Sequence, residues 1–228
     1  MNFEAIGENL PLYLSGLLVT LKLLVLSLGC GLVVALPLAL VRTVSKGWAS
    51  RAVWVYTYAF RGTPMLVQLF LCYYGLAQFD AVRESFAWPW LSSATFCAWL
   101  TFTLNTAAYT TEIIAGSIRA LPAGEIEAAK ALGMSRGLML RRIVVPAALR
   151  RALPAYGNEA IFMLHGTSLA SVVTLLDVTG AAREVNAKYY LPFEAFITAG
   201  AFYFVLTLGL VGLFRWAEQR WVKPMMSR

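Results

Sequence analysis

Five long stretches of this chain carry almost no charge. Residues 12–41 hold only Lys22; residues 62–79, 85–111 and 195–214 hold none; residues 152–176 hold Glu159 as their one ionised side chain. A helix needs roughly 20 apolar residues, with ~17–25 as the working range, to cross the hydrocarbon core of a bilayer. The pattern predicts an all-α membrane protein of about five transmembrane helices, forming one domain over residues 1–228. The first stretch exceeds one bilayer thickness, so a tilted or protruding helix is expected. The fourth contains Pro154, Gly157, Gly166 and a Thr167-Ser168 pair. It predicts a broken helix, tolerated at membrane depth only where protein or a watery cavity satisfies the freed backbone groups.

Charge supports the same class. Only 14% of residues are charged, against about 25% in a typical soluble domain. The net charge of +7 could indicate nucleic acid, but the cations are spread between the apolar stretches rather than gathered on one face. Successive connections carry +4 (Arg42, Lys46, Arg51, Arg61), −1 (Asp80, Arg83, Glu84), +5 (119–151), −1 (177–194) and +3 (215–228). By the positive-inside rule the N-terminus is predicted outside and the C-terminus in the cytoplasm. Trp88, Trp90, Tyr189, Tyr190, Trp216 and Trp221 stand at expected span ends, as an interfacial belt requires. Glu4 and Glu8 replace the basic start of a signal peptide, so no cleaved leader is expected. Cys30, Cys72 and Cys97 show no metal or CxxC spacing and read as packing residues. No metal site is expected.

The richest connection runs from Pro122 to Pro146. Pro suits a helix's first turn, Glu125 and Glu127 suit the positive end of its dipole, and Gly133 reads as a left-handed cap. A helix so short and alanine-rich buries little apolar area by itself. Its small side chains would instead let its own backbone approach a groove on another protein closely. A second helix is expected from Ser135, bending towards the membrane at Pro146. Spacing alone leaves an ordinary helical hairpin equally open.

Glu127-Ala128-Ala129, three residues, Gly133, nine residues, Ile143, two residues and Pro146 resembles the EAA loop (about 119–146) of bacterial ABC importer permeases, with Val145 where the family usually has Leu. Phe60-Arg61-Gly62-Thr63-Pro64 with Val67-Gln68-Leu69, and Leu104-Asn105-Thr106-Ala107-Ala108-Tyr109 continuing to Ile113, resemble the second and third spans of polar amino-acid permeases. Leu153-Pro154-Ala155-Tyr156, Asn158-Glu159 and the tail from Leu213 to Trp221 are most similar to the M-type permeases of histidine/lysine/arginine/ornithine importers. The resemblance implies a type I ABC importer permease fold in a bacterial inner membrane. It also implies a heterodimer with a second permease, two cytoplasmic ATPases and a periplasmic binding protein. Glu127, Ala128, Ala129, Gly133 and Pro146 would then couple to the ATPase. ATP and Mg would be bound by that partner. The chain has no Gly-Lys dipeptide and hence no P-loop of its own, so it is not expected to be an enzyme.

An ionisable group at membrane depth costs roughly 2.5–3.5 kcal/mol on insertion scales. Glu159, beside Asn158, therefore faces a cavity and a cationic substrate, or else pairs with Arg150 or Arg151 or hydrogen-bonds to a neighbouring helix. Asn105, Thr106 and Tyr109 fall near one helix face, as pathway lining or as polar glue. Glu112, further along, reads as structural. Gln68 is a further substrate candidate. His165, the only histidine, is a packing residue or, by resemblance, a weak base that avoids repelling cationic cargo. Lys22 is expected to snorkel outward. The expected cargo is a basic amino acid; glutamine or another polar amino acid, or an opine, is the alternative. An intramembrane serine hydrolase using Ser168 or Ser171 with His165 is a distant one, lacking a GxSG context. A passive channel would leave the Glu-Ala-Ala spacing without a purpose.

Overall fold

The computed structural model describes residues 4–222; Lys223 and Arg228 of the basic tail lie outside the described residues. Every regular element among the described residues is helical. A short α1 (Glu4–Glu8) leads into α2 (Leu10–Val44) and α3 (Trp48–Gly62). Next, α4 (Met65–Phe70) runs on through a π-helical Leu71–Gly75 and a 3-10 turn, Leu76–Gln78. Two short helices, α5 (Asp80–Arg83) and α6 (Trp88–Leu91), precede the central α7 (Ala94–Arg119). Then come α8 (Ala123–Ala131), α9 (Arg136–Met139), a π-helical Leu140–Val144 and α10 (Val145–Gly166). A 3-10 stretch, Thr167–Val173, leads to α11 (Val178–Tyr189) and α12 (Pro192–Trp221).

The bundle is organised around the seam of α2 and α7. Ser27, Gly31, Ala35 and Ala39 recur every fourth residue along α2, and all four are buried. Such a stripe brings backbones close where lipid tails are as apolar as leucine and packing must replace the hydrophobic drive. A Cβ on Gly31 would collide with the Thr106 side chain and stand 3.4 Å from the Thr103 carbonyl. Nearer its start, α2 meets the turn before α11. There a Cβ on Gly16 would lie 2.6 Å from the Asp177 carbonyl oxygen.

By length and composition, α2 and α12 can each cross a membrane, and residues 136–189 supply a third crossing if their two parts, bent by 45°, form one span. Apolarity of whole helices therefore does not reproduce the count of about five, for two physical reasons. First, α7 is enclosed by protein, and Thr101, Thr103, Asn105, Thr106, Thr110 and Thr111 on its buried faces lower its hydropathy. Second, the apolar helix Met65–Gln78 is short, since the Thr63-Pro64 break cuts it off from α3. By contrast, α12 turns Phe196, Phe204, Val205, Leu208 and Leu213 outward, as a lipid-facing helix does.

The break expected in the fourth stretch occurs after Gly166, where α10 tightens into the 3-10 turn and Thr174 takes a left-handed φ of 68°. Pro154 lies inside α10 without ending it. The helix α11 was not expected from a connection with five charges. Its signals are local: the Asp177 carboxylate caps it by accepting from the Gly180 N–H at 2.8 Å. Val178, Ala181, Ala182 and Val185 recur at helical spacing and are buried.

The 119–146 loop follows its sequence closely. Pro122 stands at the N-cap of α8, and Gly133 has φ 73°. The Gly133 N–H donates to Lys130 at 2.9 Å and the Met134 N–H to Ala129 at 3.1 Å, the paired bonds of a Schellman cap. Glu127, Ala128 and Gly133 are exposed, while Ala129 is buried at 1%. Ala129 thus faces its own loop, and the outward face of α8 is offered by its neighbours. Pro146 sits in the first turn of α10, straight after the π-helical segment.

Replacing Gly31 with leucine should part α2 from α7 and destabilise the fold by about 2 kcal/mol or more, as overpacking does. Gly29→Leu, on a face with nothing within 4 Å of a Cβ, should be neutral. Thermal unfolding of the two variants in detergent checks this, and equal midpoints would refute the seam.

Candidate functional site

The chain breaks where α3 ends. Thr63 precedes Pro64 and is held extended at φ −118°, ψ 146°, since an α conformation there would clash with the proline ring. The carbonyls left without partners at this break are met by Gln68. Its Nε2 donates to Phe60 O at 2.8 Å and to Thr63 O at 3.1 Å. Its Oε1 accepts from Asn105 Nδ2 at 2.9 Å. One side chain thus closes the break and pins it to α7.

Below the break lies a cavity of about 520 Å³ between three walls. Thr63, Pro64 and Met65 form the first; Asn105, Tyr109 and Ile113 of α7 form the second; Ala155, Asn158, Glu159, Phe162 and Met163 of α10 form the third. The α7 and α10 residues recur at intervals of three and four, so each set is one helix face. Glu159 is 7% exposed, and no ion pair to it is found among the described residues. The pairing with Arg150 or Arg151 entertained from the sequence is not formed. Its polar surroundings are the Thr106 hydroxyl of α7, fully buried with the carboxylate as its polar neighbour, and the Arg61 guanidinium, whose charge reaches it without an ion pair. The Arg61 guanidinium lies 5.3 Å from the Tyr109 ring centre, and the Tyr109 hydroxyl donates to Arg61 O at 3.3 Å.

Four of the seven candidate substrate residues therefore share this cavity: Glu159, Asn158, Asn105 and Tyr109. Thr106 lies behind the wall. Gln68 and His165 do not line it. The Gln68 amide is engaged at the break. His165 is six residues beyond Glu159, about 240° round the helix at 3.6 residues per turn, and its Nε2 meets Thr207 Oγ1 of α12 at 3.2 Å. Sequence reasoning missed the Thr63–Met65 wall and Phe162, although the pre-proline position signals the first.

Glu112 is structural, as expected. It accepts from Arg42 Nε at 3.1 Å and Thr57 Oγ1 at 3.0 Å, with Arg119 Nη2 at 3.6 Å, tying α2, α3 and the end of α7. It also lines a further cavity of about 750 Å³ that includes Glu125, Arg150 and Arg151. The two cavities share Ile113 and Ala155.

Hydrolase geometry is not found. Ser168 Oγ donates to His165 O at 2.7 Å and Ser171 Oγ to Ser168 O at 2.9 Å, so neither hydroxyl engages the imidazole as a nucleophile–base pair would. Among the described residues, no cluster of three His, Cys, Asp or Glu suits a metal ion.

Residues 27–223 match the family described as binding-protein-dependent transport system inner membrane component. The chain is 48% identical to the histidine/lysine/arginine/ornithine transport system permease protein HisM of Escherichia coli K12, over 92% of this chain and 90% of that one. It is 46% identical to the octopine permease OccM of Rhizobium radiobacter, covering 91% and 87% of the two chains. It is also 46% identical to the nopaline permease NocM of Agrobacterium fabrum C58, covering 99% and 94%. Among solved structures, an amino acid ABC transporter with histidines superposes at a TM-score of 0.86 and 35% identity, covering 96% of this chain and 99% of that one. The inward-facing MetNI methionine transporter, at 0.69 and 21% identity over 98% and 99%, shares the fold. The chain belongs to the binding-protein-dependent transport system inner membrane component family, and is a non-catalytic inner-membrane permease subunit of an ABC importer that works with ATPase and binding-protein partners.

Proposed function

We propose that this permease carries basic amino acids (histidine, lysine, arginine, ornithine) from periplasm to cytoplasm, and that Glu159 receives the cationic side chain. The observation that carries this reading is a carboxylate in a cavity wall with no ion pair of its own among the described residues. A buried carboxylate with Arg61 nearby but no ion pair is only partly compensated, and a cationic cargo completes the pairing. Asn158, Asn105 and Tyr109 offer amide and hydroxyl groups for its polar end. Thr106 supports Glu159 from behind, while Gln68 and His165 act indirectly by holding the walls.

Asn158 and Phe162 are exposed on the cavity's open side, where a second homologous permease in a heterodimer would complete the enclosure. The N-terminus lies in the periplasm, and α8 faces two ATPases that bind ATP and Mg. A liganded binding protein docks outside, ATPase closure draws the α8 helices together, and the helices rock outward-facing. Cargo then passes from Glu159 past Ile113 and Ala155 into the second cavity as hydrolysis resets the bundle. A second reading, an opine cargo, is favoured by the identities to the OccM and NocM permeases. Competition of labelled arginine uptake by octopine and by free basic amino acids separates the two.

Glu159→Gln should lower arginine and lysine uptake about 10- to 100-fold, the range expected on losing a charge-assisted contact, with ATPase co-purification unchanged. Normal uptake would remove Glu159 from the site. Gly133→Val forces a β-branched residue into a left-handed φ, costing roughly 1–2 kcal/mol. It should raise the ratio of ATP hydrolysed to cargo moved for every substrate, and an unaltered ratio in vesicles would exclude α8 from coupling.

A further inference from the structure

Where α2 gives way to α3, three cations surround one hollow of about 340 Å³. Arg42, Lys46 and Arg51 line it together with Ser45, Ser50 and Trp54, and no carboxylate does. Arg42 is held in place from both sides. Its Nε donates to Glu112 at 3.1 Å, its Nη1 donates to Ser50 Oγ at 3.4 Å, and Ser50 Oγ donates back to Arg42 O at 3.3 Å. Lys46 and Arg51 are exposed and have no ion pair among the described residues. Glu112 offsets the charge of Arg42, but Lys46 and Arg51 have no such partner among the described residues and repel one another across the concavity unless an anion sits between them. The first turn of α3 also opens here, with no side-chain cap from Gly47. Its free N–H groups and dipole add to the attraction for a negative group.

The surroundings select the kind of anion. Val44, Trp48, Val55 and Tyr58 beside the hollow are 55%, 84%, 54% and 67% exposed. Trp54, on its rim, stacks on Tyr58 at 5.1 Å between ring centres. A small soluble anion would use the cations alone. An amphiphile uses both parts: phosphate among the cations, glycerol and first methylenes along the aromatic face, as at membrane interfaces generally. We propose that the hollow formed by Arg42, Lys46, Arg51 and Ser50 binds the phosphate of an anionic phospholipid, whose acyl chains lie along the Trp54–Tyr58 face of α3. The site lies outside the transport cavity and does not depend on what that cavity carries.

The test is native mass spectrometry of the assembled importer titrated with phosphatidylglycerol, with phosphatidylcholine of the same chain length as control. Wild type should retain phosphatidylglycerol in preference to phosphatidylcholine. Lys46→Gln/Arg51→Gln should weaken the tightest site about tenfold or more, given the usual contribution of each cation near a lipid surface. The charge-conserving Lys46→Arg/Arg51→Lys should keep it, which separates loss of binding from loss of folding. Arg215→Gln/Arg220→Gln, at the far end of the chain, should leave it unchanged. Equal retention by wild type and the Lys46→Gln/Arg51→Gln variant overturns the proposal. So does an equal loss in the Arg215→Gln/Arg220→Gln variant, or displacement of the lipid by equimolar inorganic phosphate, which would make this a soluble-anion site.

Discussion

The close approach of α2 and α7 is the constraint on which the rest of the bundle depends. Because Ser27, Gly31, Ala35 and Ala39 present almost no side chain, α7 lies deep against α2. It is then covered on its remaining sides by α3, α4 and α10. A helix covered in this way need not be apolar, since its neighbours and not lipid meet its buried faces. That freedom lets α7 carry Asn105 and Tyr109 into the cavity on one side while its threonines face protein on others. The polar interior of the permease follows from a stripe of missing side chains on its neighbour.

Polar groups within the bundle divide into those engaged by the protein and those left available. Gln68 uses both ends of its amide on the Thr63-Pro64 break and on Asn105. Glu112 collects Arg42, Thr57 and Arg119, and Asp177 holds the Gly180 N–H and the Tyr203 hydroxyl. Glu159 has no such set among the described residues. The contrast between Glu112 and Glu159, two carboxylates in the same bundle, rests on the cations within reach of each.

How far the sequence could be read depended on the range of the physics involved. The Gly133 cap and the Pro122 start were legible because a left-handed φ and a proline ring act within a few residues. That Glu159 and Asn158 would stand at a cavity could be expected because a charge in an apolar stretch demands a reason. The hydrogen bonds of Gln68 were not legible because its partners, Phe60 O and Asn105, come together only after the chain has broken and packed. The Thr63-Pro64 break was itself readable from the pre-proline rule, yet the apolar stretch starting at Gly62 runs across it and concealed it. The α11 helix was lost beneath its charges, although Asp177 and the Val178–Val185 spacing marked it.

The π-helical turn at Leu140–Val144 sets the angular phase between α9, which follows α8, and the Glu159-bearing face of α10. A widened turn takes in an extra residue without breaking the helix. Each residue of an α-helix advances about 100°, so regularising that turn would swing one end against the other by roughly that angle. The relative orientation of the two parts therefore depends on the number of residues between Ser135 and Pro146. A one-residue deletion would misalign two intact halves.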